Sequence, residues 1–197
     1  SFTSEDNPVE HVENTLPDRF ATCEPTEAEC RRRWDLTRHW RETEGINTIL
    51  TEPHPNFPYC KYFYPHYHAG RGKDGHLVYY ERPGELDLKS LKEKGIDSRL
   101  MMRRWLFVTE YQWEIMCADD DNATAISVID VNGVSVFDPM GATLDFVRQT
   151  ISTANVHYPG RAYKVYIINC TSTFTTIFGL IKGFISAATL EKIKLCG

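Results

Sequence analysis

Tyr158-Pro-Gly-Arg-Ala-Tyr-Lys-Val-Tyr-Ile-Ile-Asn-Cys-Thr-Ser-Thr-Phe-Thr-Thr-Ile-Phe-Gly-Leu-Ile-Lys-Gly-Phe-Ile185 decides the fold of this chain. Tyr163 to Asn169 is a β-branched and aromatic run of strand length. The adjacent Ile167 and Ile168 predict a sheet covered on both faces, and hence a mainly parallel sheet with helices on both sides. After the turn Cys170–Thr173, the apolar residues Phe174, Ile177, Phe178, Ile181, Phe184 and Ile185 fall at helical spacing. Only Lys182 is charged between Cys170 and Thr189. The opposite side carries Thr175, Thr176, Gly179 and Gly183, and each glycine costs roughly 1 kcal/mol against alanine. Two readings stand for this helix: a core element, or a mobile cover over an apolar cavity. A second short helix and a strand complete the segment to Gly197.

Upstream, Glu27 to Glu44 reads as a helix. Trp34, Thr37 and Arg41 share one side, and the arginines (Arg31, Arg32, Arg33, Arg38) form a solvated face. Residues 51–70 hold four prolines and three histidines and read as a connecting loop. Asp74-Gly75 is a hairpin signal leading into a strand at His76–Glu81, which Pro83-Gly84 ends. Ile96 to Cys117 is a long helix, Thr124 to Val131 a covered strand, Asn132-Gly133 a turn, and Gly141 to Asn155 another helix. Strands alternating with helices, without internal repeats, predict an α/β domain with a mainly parallel sheet.

At 197 residues and 42% hydrophobic, the chain suits one domain with a real core. No stretch approaches the ~20 apolar residues of a membrane span, and Ser1 to Asp6 has no signal-peptide character. Residues 1–30 carry eight acids against Arg19 alone, leaving the remainder slightly basic. An acidic leader without a basic stripe argues against nucleic acid. It leaves transient contact of the body with an anionic membrane open. Six cysteines at spacings that fit neither a disulfide framework nor paired zinc ligands read as free thiols in a reducing compartment. The Asn122 and Asn169 glycosylation sequons read as coincidence.

Several constellations are weaker than their letters. Gly70-Arg-Gly-Lys-Asp-Gly75 matches a dinucleotide fingerprint but precedes a strand instead of following one. His54, His66, His68 and Cys60 read as loop residues, with no metal site. Asp119 to Asp121 read as a solvated helix end. Cys170, at a strand-to-helix turn, lacks the arginine or glycines of known nucleophile motifs.

Lys73-Asp-Gly-His-Leu-Val-Tyr-Tyr-Glu81, Val128-Ile-Asp-Val-Asn-Gly-Val134, His157-Tyr-Pro-Gly-Arg161, Val165-Tyr-Ile-Ile-Asn169 and Phe174 onward to Ile193 together resemble the CRAL-TRIO lipid-binding domain. That domain occurs in phosphatidylinositol/phosphatidylcholine transfer proteins and in tocopherol and retinal carriers. The match covers about residues 30–197. It implies an acidic, flexible leader (1–25), a helical N-terminal region (26–55) and a lipid-binding domain (56–197), whose family pattern continues beyond Gly197. It further implies a sheet floor under a helical gate, with Phe174, Ile177, Phe178, Ile181 and Phe184 at the pocket or gate. Burying two acyl chains there is worth on the order of 10 kcal/mol.

The resemblance assigns Thr189 and Lys192 to a phosphoinositol contact, with Arg161 also meeting the phosphate. Tyr79 and Ser127 match contacts to a choline lipid. Gly160 stands where the family has glutamate, Thr22 near an expected arginine, and His68 and Ala125 where tyrosine and serine are usual. The implied protein is a cytoplasmic carrier or sensor, peripheral at membranes, that binds a phospholipid and needs neither cofactor nor catalysis. The alternatives are a regulatory interaction module whose acidic N-terminus meets a protein partner, and a hydrolase using Cys170.

Overall fold

The computed structural model describes residues 15–134 and 140–197. Glu5, Asp6, Glu10 and Glu13 of the acidic leader lie outside these residues. The chain opens with α1 (Asp18–Ala21) and α2 (Glu27–Thr43), a 3-10 turn at Ile46–Thr51, and α3 (Phe57–Phe63). A hairpin follows, made of β1 (His66–Arg71) and β2 (Leu77–Glu81). Then come α4 (Leu88–Glu93), α5 (Ser98–Glu110), β3 (Ala125–Asp130), α6 (Met140–His157), β4 (Ala162–Ile168), α7 (Ser172–Ile181), α8 (Ala187–Leu190) and β5 (Ile193–Leu195).

The five strands form one sheet in sequence order. β1 and β2 pair antiparallel, and every later pairing is parallel, as alternating strands and helices predict. Local signals set the helix starts. Thr26 accepts from the Glu29 amide and donates to the Glu29 carboxylate at 2.6 Å, which caps α2. Asp97 accepts from the Leu100 amide and Thr171 from the Phe174 amide, capping α5 and α7. Beyond Glu110, α5 widens into a π-helical turn at Tyr111–Ile115, where the consecutive Gln112 and Trp113 are both buried.

Four expectations are corrected. Residues 51–70 are not all loop. Pro58 falls in the first turn of α3, where its missing N–H would be unbonded anyway, and His66–Arg71 pairs with β2 as an edge strand. The sheet is not covered equally on both faces. On one face Leu77, Ala125, Val165 and Ile167 are buried while Tyr79, Glu81, Ser127 and Ile129 are half-buried; on the other Val78, Tyr80, Ile126, Val128, Tyr166 and Ile168 are half-buried, Asp130 is buried and Lys164 is exposed. The arginines of α2 do not all face solvent, because Arg33 donates to the Val156 carbonyl at 2.9 Å and to Glu24 at 2.6 Å. Finally, the described part of the leader is folded. Phe20 is buried against Trp34 with ring centroids 4.9 Å apart, and Arg19 donates to the Pro159 and Ala123 carbonyls.

The N-terminal helices are bonded to the body through a buried carboxylate. Glu110 is 2% exposed, accepts from both terminal guanidinium nitrogens of Arg41 at 2.9 and 2.8 Å, and accepts from the Tyr158 hydroxyl at 2.6 Å. Burial lowers the pKa of Arg41, but Glu110 outweighs it and the net shift is upward. Next to this group, His157 stacks on Trp40 with centroids 3.8 Å apart and bonds Thr37 through Nδ1 at 3.0 Å. Burial, then Arg33 and Arg41, push its pKa down to about 4.

Arg41→Ala leaves a buried carboxylate without its counter-ion and is expected to cost about 3 kcal/mol, the lower end for such a loss because Arg41 keeps some access to water. Urea unfolding measures it. The histidine gives a pH dependence of known sign. An unfolded histidine takes up its proton near pH 6.5, while folded His157 resists protonation until about pH 4, so stability falls as pH drops through that window. The loss in urea midpoint between pH 7 and pH 4.5 is expected to be smaller in His157→Gln than in the native chain.

Candidate functional site

The better-covered face of the sheet is the floor of a cavity of about 1200 Å³. Because strand side chains alternate, Tyr79 and Glu81 of β2, Ser127 and Ile129 of β3, and Val165 and Ile167 of β4 point into it together. The walls are Trp105, Val108 and Trp113 from α5 and its π turn, and Leu144, Val147 and Ile151 from α6. α7 closes a third side. Its Phe174, Ile177 and Ile181 are buried and, with Phe178, line the cavity. Its other side, at Thr175, Thr176 and Gly179, is exposed, and Leu180, which also lines the cavity, is 47% exposed.

Phe184, expected at the pocket or gate, is not among the residues lining the cavity and is 46% exposed. The helix ends at Ile181, and the 3-10 turn Lys182–Phe184 takes Phe184 off the helical stripe. There Arg148 lies over its ring at 5.0 Å, and the Asn155 amide donates to its carbonyl.

Charged residues of the N-terminal region, Glu24, Glu29, Arg32 and Arg33, also reach the lining, and two further polar stations lie in the body of the cavity. The first is basic and built where the chain enters β4. Arg161 lies 4.2 Å over the Trp113 ring and donates to the Ala123 carbonyl at 3.1 Å. Arg19 reaches the same Ala123 carbonyl at 3.2 Å and also the Asp121 carbonyl, so two guanidinium groups share acceptors. Burial and then Arg19 bring the Arg161 pKa down to about 10. Lys192 Nζ donates to the neighbouring Ala162 carbonyl at 2.7 Å. Thr189 also lines the cavity, its hydroxyl 2.9 Å from that of Ser186. Clustered cations at the rim of an apolar cavity offer charge-assisted bonds to a phosphate or carboxylate.

The second station is a buried carboxyl group. Glu81 accepts from the Tyr64 hydroxyl at 2.8 Å and from Tyr79 at 3.3 Å, and burial raises its pKa despite those bonds. His68, Tyr79 and Ser127 stand in register across β1, β2 and β3. His68 Nε2 is 3.1 Å from the Gln112 side-chain oxygen.

The structure thus brings Arg161, just before β4, Thr189 of α8 and Lys192, just before β5, to the cavity lining, and sets Tyr79 and Ser127 side by side on its floor. Arg19, Glu81, Gln112 and Trp113 are lining residues that the sequence reading does not single out. The one available signal is Arg19, the single base among eight acids.

The remaining motifs have ordinary roles. Gly70 to Gly75 spans the hairpin, with Gly75 at φ +83. His54 bonds the Ile49 carbonyl and His66 the Tyr64 carbonyl. The six cysteines are free, and the Cys170 thiol donates back to the Ile167 carbonyl at 3.2 Å, away from the cavity lining. Among the described residues, no helix is long and apolar enough to cross a membrane.

Residues 63–197 match the family model of the CRAL/TRIO domain. The chain is 29% identical over 171 residues to the Sec14 cytosolic factor of Schizosaccharomyces pombe, covering 80% of this chain and 57% of that protein. It is 27% identical over 176 residues to the SEC14 cytosolic factor of Eremothecium gossypii, covering 86% and 57%. It is 26% identical over 174 residues to the phosphatidylinositol/phosphatidylcholine transfer protein SFH9 of Arabidopsis thaliana, covering 83% and 29%. Among solved structures, that of Sfh5 superposes with a TM-score of 0.70 at 20% identity, over 87% of this chain and 61% of that one. The chain therefore spans little more than half the length of the fungal relatives named here, and less of the plant one.

Proposed function

This chain belongs to the CRAL/TRIO domain family, and we propose that it holds one phospholipid in the cavity beneath α7 and exchanges it at membrane surfaces. The observation that carries the reading is a cavity of about 1200 Å³ that is aliphatic and aromatic along most of its lining and basic at one end. Acyl chains gain from leaving water in the first part, while a phosphate needs the second. The names of the relatives point to phosphatidylinositol or phosphatidylcholine as the class to try first.

In this reading Lys192, Thr189, Arg161 and Arg19 meet the phosphate, and Tyr79 and Ser127 the rest of a choline head group. Arg19 bears on one departure from the family pattern. Gly160 has φ +70, and a Cβ there would lie 3.5 Å from the Arg19 guanidinium. Arg19 thus lies beside the position where the resemblance expects a glutamate. The lipid is a passenger and no bond in it is made or broken.

α7 is the gate in this proposal. Side chains added at Gly179 or Gly183 would meet nothing within 4 Å, so packing does not require glycine at either position. What glycine does supply is a weaker helix. Leu180, Phe184 and Lys182 are all exposed, an apolar and basic set suited to an anionic bilayer surface.

Native mass spectrometry after expression in a lipid-rich host should detect one phospholipid per chain, and a preparation that never retains or transfers lipid would sink the reading. Lys192→Ala should weaken phosphoinositide transfer more than phosphatidylcholine transfer, with equal losses removing the head-group assignment. Gly179→Ala with Gly183→Ala should slow exchange between vesicles several-fold while leaving the amount of bound lipid unchanged.

A further inference from the structure

Some residues that line the large cavity are also exposed, and these mark where it meets solvent. They fall in two groups. Thr22, Arg32 and Leu36 come from the N-terminal region, and Leu180, Ser186 and Ala188 from the stretch between the end of α7 and α8. Every described lining residue supplied by α5, α6 and strands β2 to β4 is instead buried or half-buried. The two groups are joined through the basic station. Arg19 donates to the Pro159 carbonyl beside the exposed Gly160, Lys192 donates to the Ala162 carbonyl, and Thr189 bonds Ser186. The mouth of the cavity therefore lies between α2 and the segment 180–188, with Arg19, Arg161 and Lys192 just inside it.

α2 presents a helical stripe to this mouth. Glu29, Arg32, Arg33 and Leu36 stand at i, i+3, i+4 and i+7, and all four line the cavity. Glu29 takes the Thr26 hydroxyl at 2.6 Å, and Arg33 pairs with Glu24 at 2.6 Å. Arg32 and Leu36 are exposed, Leu36 at 54%. Elsewhere α2 is fixed to the body by Arg41 on Glu110 and Trp40 on His157, so this lip stays in place when α7 moves. Across the mouth, Leu180 and Lys182 are exposed on the gate side. Each lip thus pairs an exposed leucine with an exposed cation. At a bilayer surface the leucine can enter the acyl boundary while the cation stays at the level of the phosphates.

We propose that Arg32 and Leu36 of α2 are the fixed half of a membrane-docking rim whose moving half is Leu180 and Lys182, and that an anionic bilayer surface is what covers it. On the carrier reading above, on which this rests, lipid crosses between the two lips and its phosphate passes Arg19, Arg161 and Lys192.

Leu36→Glu tests the rim, with Leu100→Glu as control, because Leu100 is 42% exposed but is not a lining residue. In co-sedimentation with vesicles of phosphatidylcholine and phosphatidylserine, Leu36→Glu should bind about tenfold more weakly and exchange lipid correspondingly more slowly. Leu100→Glu should match the native chain. Arg32→Glu should remove most of the preference for anionic over neutral vesicles at low salt, and an unchanged preference would count against the rim. Native mass spectrometry of the same preparations keeps two failures apart. Native-like binding and exchange in Leu36→Glu with one lipid retained, or an equal loss in Leu100→Glu, would overturn the rim and leave the carrier reading standing. A native chain that never holds lipid removes both.

Discussion

A carboxylate held out of water is the constraint on which much of this structure depends. Glu110 sits on α5 at 2% exposure, and its charge is met by Arg41 from α2 and by Tyr158 from the end of α6. An unpaired charge at such depth would be prohibitive, so the three elements must assemble together or the site does not form. The residues that follow and precede Tyr158 repeat the arrangement. Val156 and Pro159 offer carbonyls to Arg33 and Arg19, and His157 packs on Trp40. The helical N-terminal region is thereby fixed to the corner from which β4 departs, and residues such as Glu29, Arg33 and Leu36 become part of the cavity lining.

That corner also gives the cavity its polarity. Arg19 and Arg161 lie against the carbonyls at the start of β4, whereas Glu81 closes the end of β2 under two tyrosine hydroxyls. Parallel strands in register keep these groups apart and leave an aliphatic floor between them. A mixed set of side chains from distant parts of the chain thus gives the cavity two unlike polar regions, the asymmetry on which the proposed phospholipid reading rests.

What could be read from the sequence and what could not divide along physical lines. β4 and α7 are legible because their apolar residues repeat at the periods of a strand and a helix, and local periodicity is a property of neighbouring residues. β1 is illegible because His66-Tyr-His-Ala-Gly-Arg71 is mostly exposed at the sheet edge, and only pairing with β2 makes it a strand. α3 hides behind prolines that happen to suit its first turn. Phe184 continues the helical spacing on paper, but a change of helix type intervenes. Thr189 and Lys192 are accessible to the family pattern, whereas Arg19 is not. Its partners lie more than a hundred residues away in an acidic stretch that otherwise reads as solvated.

The size of the cavity has a kinetic meaning of its own. A space of about 1200 Å³ lined by isoleucine, valine and phenylalanine would lose its contacts if it were left unfilled, and water is a poor substitute there. Under the proposed lipid exchange, a molecule built in this way does not travel back empty: departure of one occupant and arrival of the next are parts of one event, and net movement follows the composition gradient between two membranes.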